Sequence, residues 1–132
     1  MTFFQTLQDR TAAERDYLLA APVLHHAVAG TLPRHTYVAF LTEAYHHVKH
    51  TVPLLMACGV RLPERLEWLR EAIAEYIEEE YGHQEWVLND IAACGADKEA
   101  VLHGTPHMST ELMVAYVYDR ICLLYTSPSP RD

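Results

Sequence analysis

LEWLREAIAEYIEEEYGHQEWVLNDI, residues 66 to 91, is the stretch on which the fold of this chain turns. Leu66, Leu69, Ile73 and Tyr76, then Glu80 and His83, then Val87 and Ile91 recur at steps of three and four, which describes one helical face. An acid and an imidazole therefore stand where apolar side chains are due, and Asp90 borders the end of the stripe. A buried ionised carboxylate is costly unless it is paired, hydrogen-bonded or bound to a metal, so Glu80 requires a partner. A metal ion is one such partner. The plainer alternative is a solvated acidic run followed by a core histidine. Glu75, Glu78 and Glu79 suit that alternative because they lie off the stripe. Glu80 and His83 together favour a functional role, since packing accounts for two polar residues on one core stripe less easily than for one.

Helical periodicity extends outward in both directions with no clean period-two strand, so the fold class is all-α. A first helix is expected over Thr2–Ala20, and a short second one opens at Pro22 and stops near Gly30. The third is expected from about Pro33 to Cys58, kinked by Pro53 and stopped by Gly59. Pro63 should start one long helix reaching Cys94, capped by Gly95, with Gly82 inside it. Asp97 to His103 reads as a short helix, and Ser109 or Thr110 should cap a last one running through Ile121.

Half of the 132 residues are apolar, which suits one globular domain with a single core. A formal net charge of −8 argues against nucleic acid or an anionic membrane as partner. Asp9, Arg10, Glu14, Arg15 and Asp16 interrupt the N-terminus, which reads as neither signal peptide nor membrane span. Cys58, Cys94 and Cys122 form no CxxC pair, and the expected location is cytoplasmic. Residues 122–132, CLLYTSPSPRD, resemble the translation of a sequencing-library adapter more than a Ser/Pro-rich disordered tail, so residues 1–121 are the expected native part, the N-terminal portion of one helical domain.

The third helix carries a second polar face. Steps of three and four bring Glu43, His47 and His50 to one side and leave His46 turned elsewhere. Glu-x-x-His on facing helices is how helical bundles build iron or manganese sites, and this spacing occurs at Glu43–His46 and again at Glu80–His83. For the histidine cluster, a polar edge lining a cleft and a ligand role weigh equally.

Tyr45-His-His-Val-Lys-His-Thr-Val-Pro-Leu-Leu55, Glu79-Glu-Tyr-Gly-His-Gln-Glu-Trp-Val-Leu-Asn-Asp90 and Met113-Val-Ala-Tyr-Val-Tyr-Asp119 resemble the heme-oxygenase-like superfamily, in the branch of TenA- and PqqC-like proteins and iron-containing diiron oxidases. The resemblance covers most of residues 20–120 and implies a heme-oxygenase-like helical bundle, incomplete at its C-terminus. It further implies that Glu80 and His83 are metal ligands, with the remaining ligands on later helices absent from this sequence. The expected cofactor is iron, two ions in the intact parent and none held tightly by the fragment, which should be inactive. Dioxygen and a small organic substrate are the expected partners, a homodimer is left open, and Glu43, His47, His50 and Asp90 would bind substrate or support the ligands. A metal-free TenA- or PqqC-like enzyme and a non-catalytic binding module are the alternatives.

Overall fold

The structure is a computed structural model that describes residues 1–126, with the side chains of residues 1–123. Among the described residues it is all-α. Two compact units divide at Tyr37 and Val38.

The first unit contains α1 (Phe3–Arg10), α2 (Ala12–Leu19) and α3 (Pro22–Val28). The helix expected over Thr2–Ala20 is thus two, parted at Thr11, whose backbone leaves the helical region at φ −107° and ψ 12°. Thr11 Oγ1 donates to the Leu7 carbonyl at 2.8 Å, a local bond that competes with helix continuation. Thr2 and Gln5 close a reciprocal cap on α1. Pro22 opens α3 and Gly30 ends it at φ +67°, as its sequence anticipates.

The larger unit is built on α4 (Arg34–Val48), whose first turns lie across the boundary, with α5 (Thr51–Arg61), α6 (Glu67–Glu80), α7 (His83–Ala93), α8 (Lys98–Leu102) and α9 (Met108–Thr126). The third expected helix is broken at Lys49–His50, upstream of Pro53. The reason is steric: Pro53 has no N–H to give the Lys49 carbonyl, and its ring would strike that group. The chain therefore turns one helical step before the proline, and Leu54 N–H resumes the ladder on the His50 carbonyl at 2.9 Å. Gly59 does not stop α5. It is buried inside that helix, where a Cβ would meet Ile73 Cγ2 at 3.6 Å. Arg70 on α6 completes the end of α5, donating through Nε to the Gly59 carbonyl at 3.0 Å and through a terminal nitrogen to that of Leu62 at 2.7 Å.

The expected long helix from Pro63 to Cys94 is also divided, into a single 3-10 turn (Glu64–Leu66), α6 and α7. Gly82 is not a helix-interior residue. At φ +91° it is the N-cap of α7, behind Tyr81 in extended conformation. Gly95 at φ +78° ends α7 as expected, with Ala96 N–H on the Ile91 carbonyl. The last helix starts before Ser109, with His107 in the capping position, and continues past Ile121 to Thr126. Cys122 and Leu123 on it are exposed; residues 127–132 of the adapter-like segment lie outside the described residues.

Leu41, Ala44 and Tyr45 of α4, Leu88 and Ile91 of α7 and Ile121 of α9 are buried, Ile91 completely. On α6 the inner face runs through Leu69, Ile73, Ile77 and Glu80, all half-buried, whereas Tyr76, expected on it, is exposed. No described helix is long and apolar enough to cross a membrane.

Candidate metal centre

Glu80 is the last residue of α6 and His83 the first of α7, so two helix ends and one left-handed glycine set their relation. Glu80 Oε2 and His83 Nδ1 are 2.9 Å apart, with side chains 20% and 30% exposed. Trp86 covers one side of the imidazole, ring centroids 4.4 Å apart. This separation suits an N–H···O bond. It also suits chelation: two ligand atoms at about 2.0–2.1 Å from one ion, in adjacent positions at a right angle, lie ~2.9 Å apart. The pair could thus share a divalent metal once Nδ1 gives up its proton and the ring turns its lone pair off the carboxylate oxygen. The donor types, one carboxylate oxygen and one imidazole nitrogen, are among those that non-haem iron takes. Among the described residues no cluster of three or more His, Cys, Asp or Glu side chains could hold a metal; Glu80 and His83 are a pair.

The other expected site residues are dispersed. Asp90 is exposed on α7. His47 is exposed as well, its Nδ1 3.2 Å from the Glu43 carbonyl oxygen of its own helix, and it lines neither cavity beside α4. Glu43 is half-buried and is the anchor of α9: its oxygens accept the His107 N–H at 3.1 Å each, and one takes a short hydrogen bond from the Thr110 hydroxyl. Burial alone would raise its pKa, but the Thr110 and His107 hydrogen bonds, with the positive potential of His46 and His107, hold it below the usual value. His50 is half-buried, with Nδ1 3.2 Å from the Tyr118 hydroxyl and the two rings perpendicular. Burial, then Lys49 and His46, push its pKa down.

His46, which the helical spacing turned elsewhere, is the buried histidine, at 1% exposure. The Glu43-x-x-His46 spacing was the signal for it. Burial, then the Lys49 charge, lowers its pKa against a smaller opposing pull from Glu43. Its Nδ1 is 3.4 Å from Lys49 Nζ, and among the described residues its Nε2 has no hydrogen-bond partner. The consecutive burial of Ala44, Tyr45 and His46 means that this end of α4 is covered around a wide arc, broader than one stripe.

Two cavities flank the α4–α5 junction. One, of about 260 Å³, is lined by His46, Lys49, His50, Thr110, Glu111 and Val114 among others. The other, of about 210 Å³, sets Lys49, Val52 and Pro53 opposite Tyr81, Gly82 and Gln84, so the two helix breaks face each other. Glu80 and His83 border the second break but line neither cavity.

Comparison with curated proteins finds no match. A crystal structure of a domain of unknown function with a heme oxygenase-like fold, from Shewanella denitrificans OS217, is similar at a TM-score of 0.76 and 29% identity. The similarity covers 92% of this chain and 53% of that one, so the chain spans about half the length of its structural neighbour. The heme-oxygenase-like helical fold expected from the sequence is therefore present. A model of the iron-containing redox enzymes matches residues 38–126, which take in Glu80, His83 and the whole α4–α9 cavity. The chain belongs to the iron-containing redox enzyme family.

Proposed function

We propose that this chain is part of a non-haem iron oxidase or oxygenase that uses dioxygen on a small organic substrate, with Glu80 and His83 as iron ligands. The observation that carries the reading is the 2.9 Å approach of Glu80 Oε2 to His83 Nδ1 at a half-buried helix junction, in a family of iron-containing redox enzymes. Iron(II) held there by Glu80 and His83 would supply the capacity to bind and reduce dioxygen. The chain's own residues do the rest. Glu80 offsets the charge of the ion, Trp86 fixes the His83 ring, and Gly82 keeps space open beside the pair. Further ligands would come from helices of a longer protein, which in the diiron branch hold a second ion. Metal analysis of the longer protein after anaerobic loading with iron(II) tests the reading: Glu80→Gln and His83→Ala should each lose at least half of the bound iron, and undiminished iron in both would refute it.

A second reading has its own observation in favour. His46 and His50 are held in the neutral form beside a cavity, as metal-free acid–base chemistry on a small heterocycle requires. Turnover of the longer protein in chelator would support this TenA- or PqqC-like alternative.

A further inference from the structure

Two histidines of α4 and its end, His46 and His50, line the α4–α9 cavity, and they differ at one atom. His46 Nε2 is sealed inside the protein. His50 Nε2 also has no hydrogen-bond partner among the described residues, but it is not sealed. The other nitrogen of that ring is engaged: the Tyr118 hydroxyl lies 3.2 Å from Nδ1, with the two rings perpendicular. Tyr118 stands one helical turn beyond Val114, which is itself in the cavity wall.

Relative acidity places the protons. A phenol is a stronger acid than the N–H of a neutral imidazole, and an imidazole nitrogen is a stronger base than a phenol oxygen, so Tyr118 donates and Nδ1 accepts. Burial, then Lys49 and His46, disfavours a second proton on the ring. The one proton of neutral His50 is then on Nε2, where it forms an open N–H donor on a cavity-lining residue.

The remaining wall favours no ion. Lys49 and Glu111 contribute one charge of each sign. The Lys49 ammonium is occupied on its own helix, 3.4 Å from His46 Nδ1 and 5.3 Å from the centre of the Tyr45 ring. Glu111 is exposed. The Thr110 hydroxyl spends its proton on Glu43. Pro106, Val114 and Ala115 are apolar. The volume is about 260 Å³, whereas an apolar cavity of about 150 Å³ already takes a benzene ring.

We infer that this cavity binds a neutral molecule the size of a single ring, whose one ring nitrogen or carbonyl oxygen accepts from His50 Nε2–H, and that Tyr118 is the positioning residue that keeps that proton on Nε2. The inference goes beyond both functional readings, because such binding requires neither iron nor turnover.

The test is an NMR titration of the 132-residue chain at neutral pH in chelator, following the ring nitrogens of His46 and His50. The probes are pyridine and cyclopentanone, which are neutral acceptors, benzene, which matches pyridine in shape without an acceptor, and N-methylpyridinium, a cation of similar outline. Both acceptors should saturate and shift the His50 Nε2 signal, and pyridine should bind about fivefold more tightly than benzene, the worth of one hydrogen bond. N-methylpyridinium should gain no such advantage. Tyr118→Phe should draw the two His50 nitrogen signals together as the tautomers mix, with the His46 signals in place as the sign of an intact α4. His50→Phe keeps a ring and removes the donor, so it should abolish the preference for pyridine over benzene whatever its effect on the shape of the cavity. Acceptors that fail to saturate, benzene or the cation binding as tightly as pyridine, a preference that survives in His50→Phe, or an unaltered His50 tautomer in Tyr118→Phe would each overturn the inference.

Discussion

Gly82 is where one backbone angle decides the candidate centre. Its φ of +91° lets the chain leave α6 after Glu80 and enter α7 at His83 with the two side chains in contact. An added Cβ would meet nothing within 4 Å, so the cost of Gly82→Ala comes from the backbone alone. We expect ~1–2 kcal/mol of destabilisation, with Gly82→Asn recovering part of it, measured by chemical denaturation. A neutral Gly82→Ala would mean that the junction readily adopts another form. Glu43 and His46 make a separate prediction about acid. Both have folded-state pKa values below their reference values of 4.5 and 6.5. In each case the unfolded chain binds more protons as pH falls between the two values, so stability is full above the reference value and declines as pH drops toward the folded one. Thermal unfolding should therefore weaken first below about pH 6.5, through His46 and His50, and again below about pH 4.5, through Glu43. Lys49→Gln should shrink the first step, because the Lys49 charge is one cause of both histidine shifts. A first step of unchanged size would contradict the assigned cause.

Between neighbouring helices, α5 packs against α6 through a glycine that the sequence read as a stop. Gly59 has helical surroundings and room for a methyl group, since Ile73 Cγ2 would lie at ordinary contact distance, 3.6 Å. Gly59→Ala should stabilise the chain by up to ~1 kcal/mol, the helix-propensity difference; a loss measured by denaturation would show that the α5–α6 contact admits no added atom. Pro53 gives a contrasting expectation. As the third residue of α5 it occupies the first turn, whose N–H groups have no intrahelical partner, so Pro53→Ala should change stability by less than ~1 kcal/mol. A continuous helix kinked at Pro53 would instead gain about 3 kcal/mol on its removal. The same junctions show what periodicity reveals and what it hides. Steps of three and four located the helical segments and placed Glu80 with Leu69 and Ile73 on an inner face. They could not show the breaks at Thr11, Lys49–His50 and Tyr81–Gly82, because a two-residue turn can leave the flanking stripes in register. His46 was missed for a related reason: one stripe cannot describe a helix end buried on three consecutive positions.

The chain as a whole leaves large side chains uncovered, among them Trp68, Tyr81, Trp86, Leu112 and Tyr116, each more than 60% exposed. Glu80 and His83, the proposed iron ligands, are two donors where an iron site needs more, and the chain spans 53% of its structural neighbour. These three facts converge on one expectation. In a longer protein carrying this sequence, added helices would cover those surfaces and complete the ligands. At roughly 25 cal/mol per Å² of apolar area, one covered helix face is comparable with the ~5–15 kcal/mol stability of a typical domain. Residues 1–121 alone should therefore unfold over a broad transition and retain well under one iron per chain, whereas the longer protein unfolds sharply with stoichiometric iron. Calorimetry and metal analysis on the two side by side decide the matter. A sharp transition with stoichiometric iron in residues 1–121 would mean that Glu80 and His83 recruit their remaining ligands from within this chain, and that the exposed aromatic residues serve something other than a missing half.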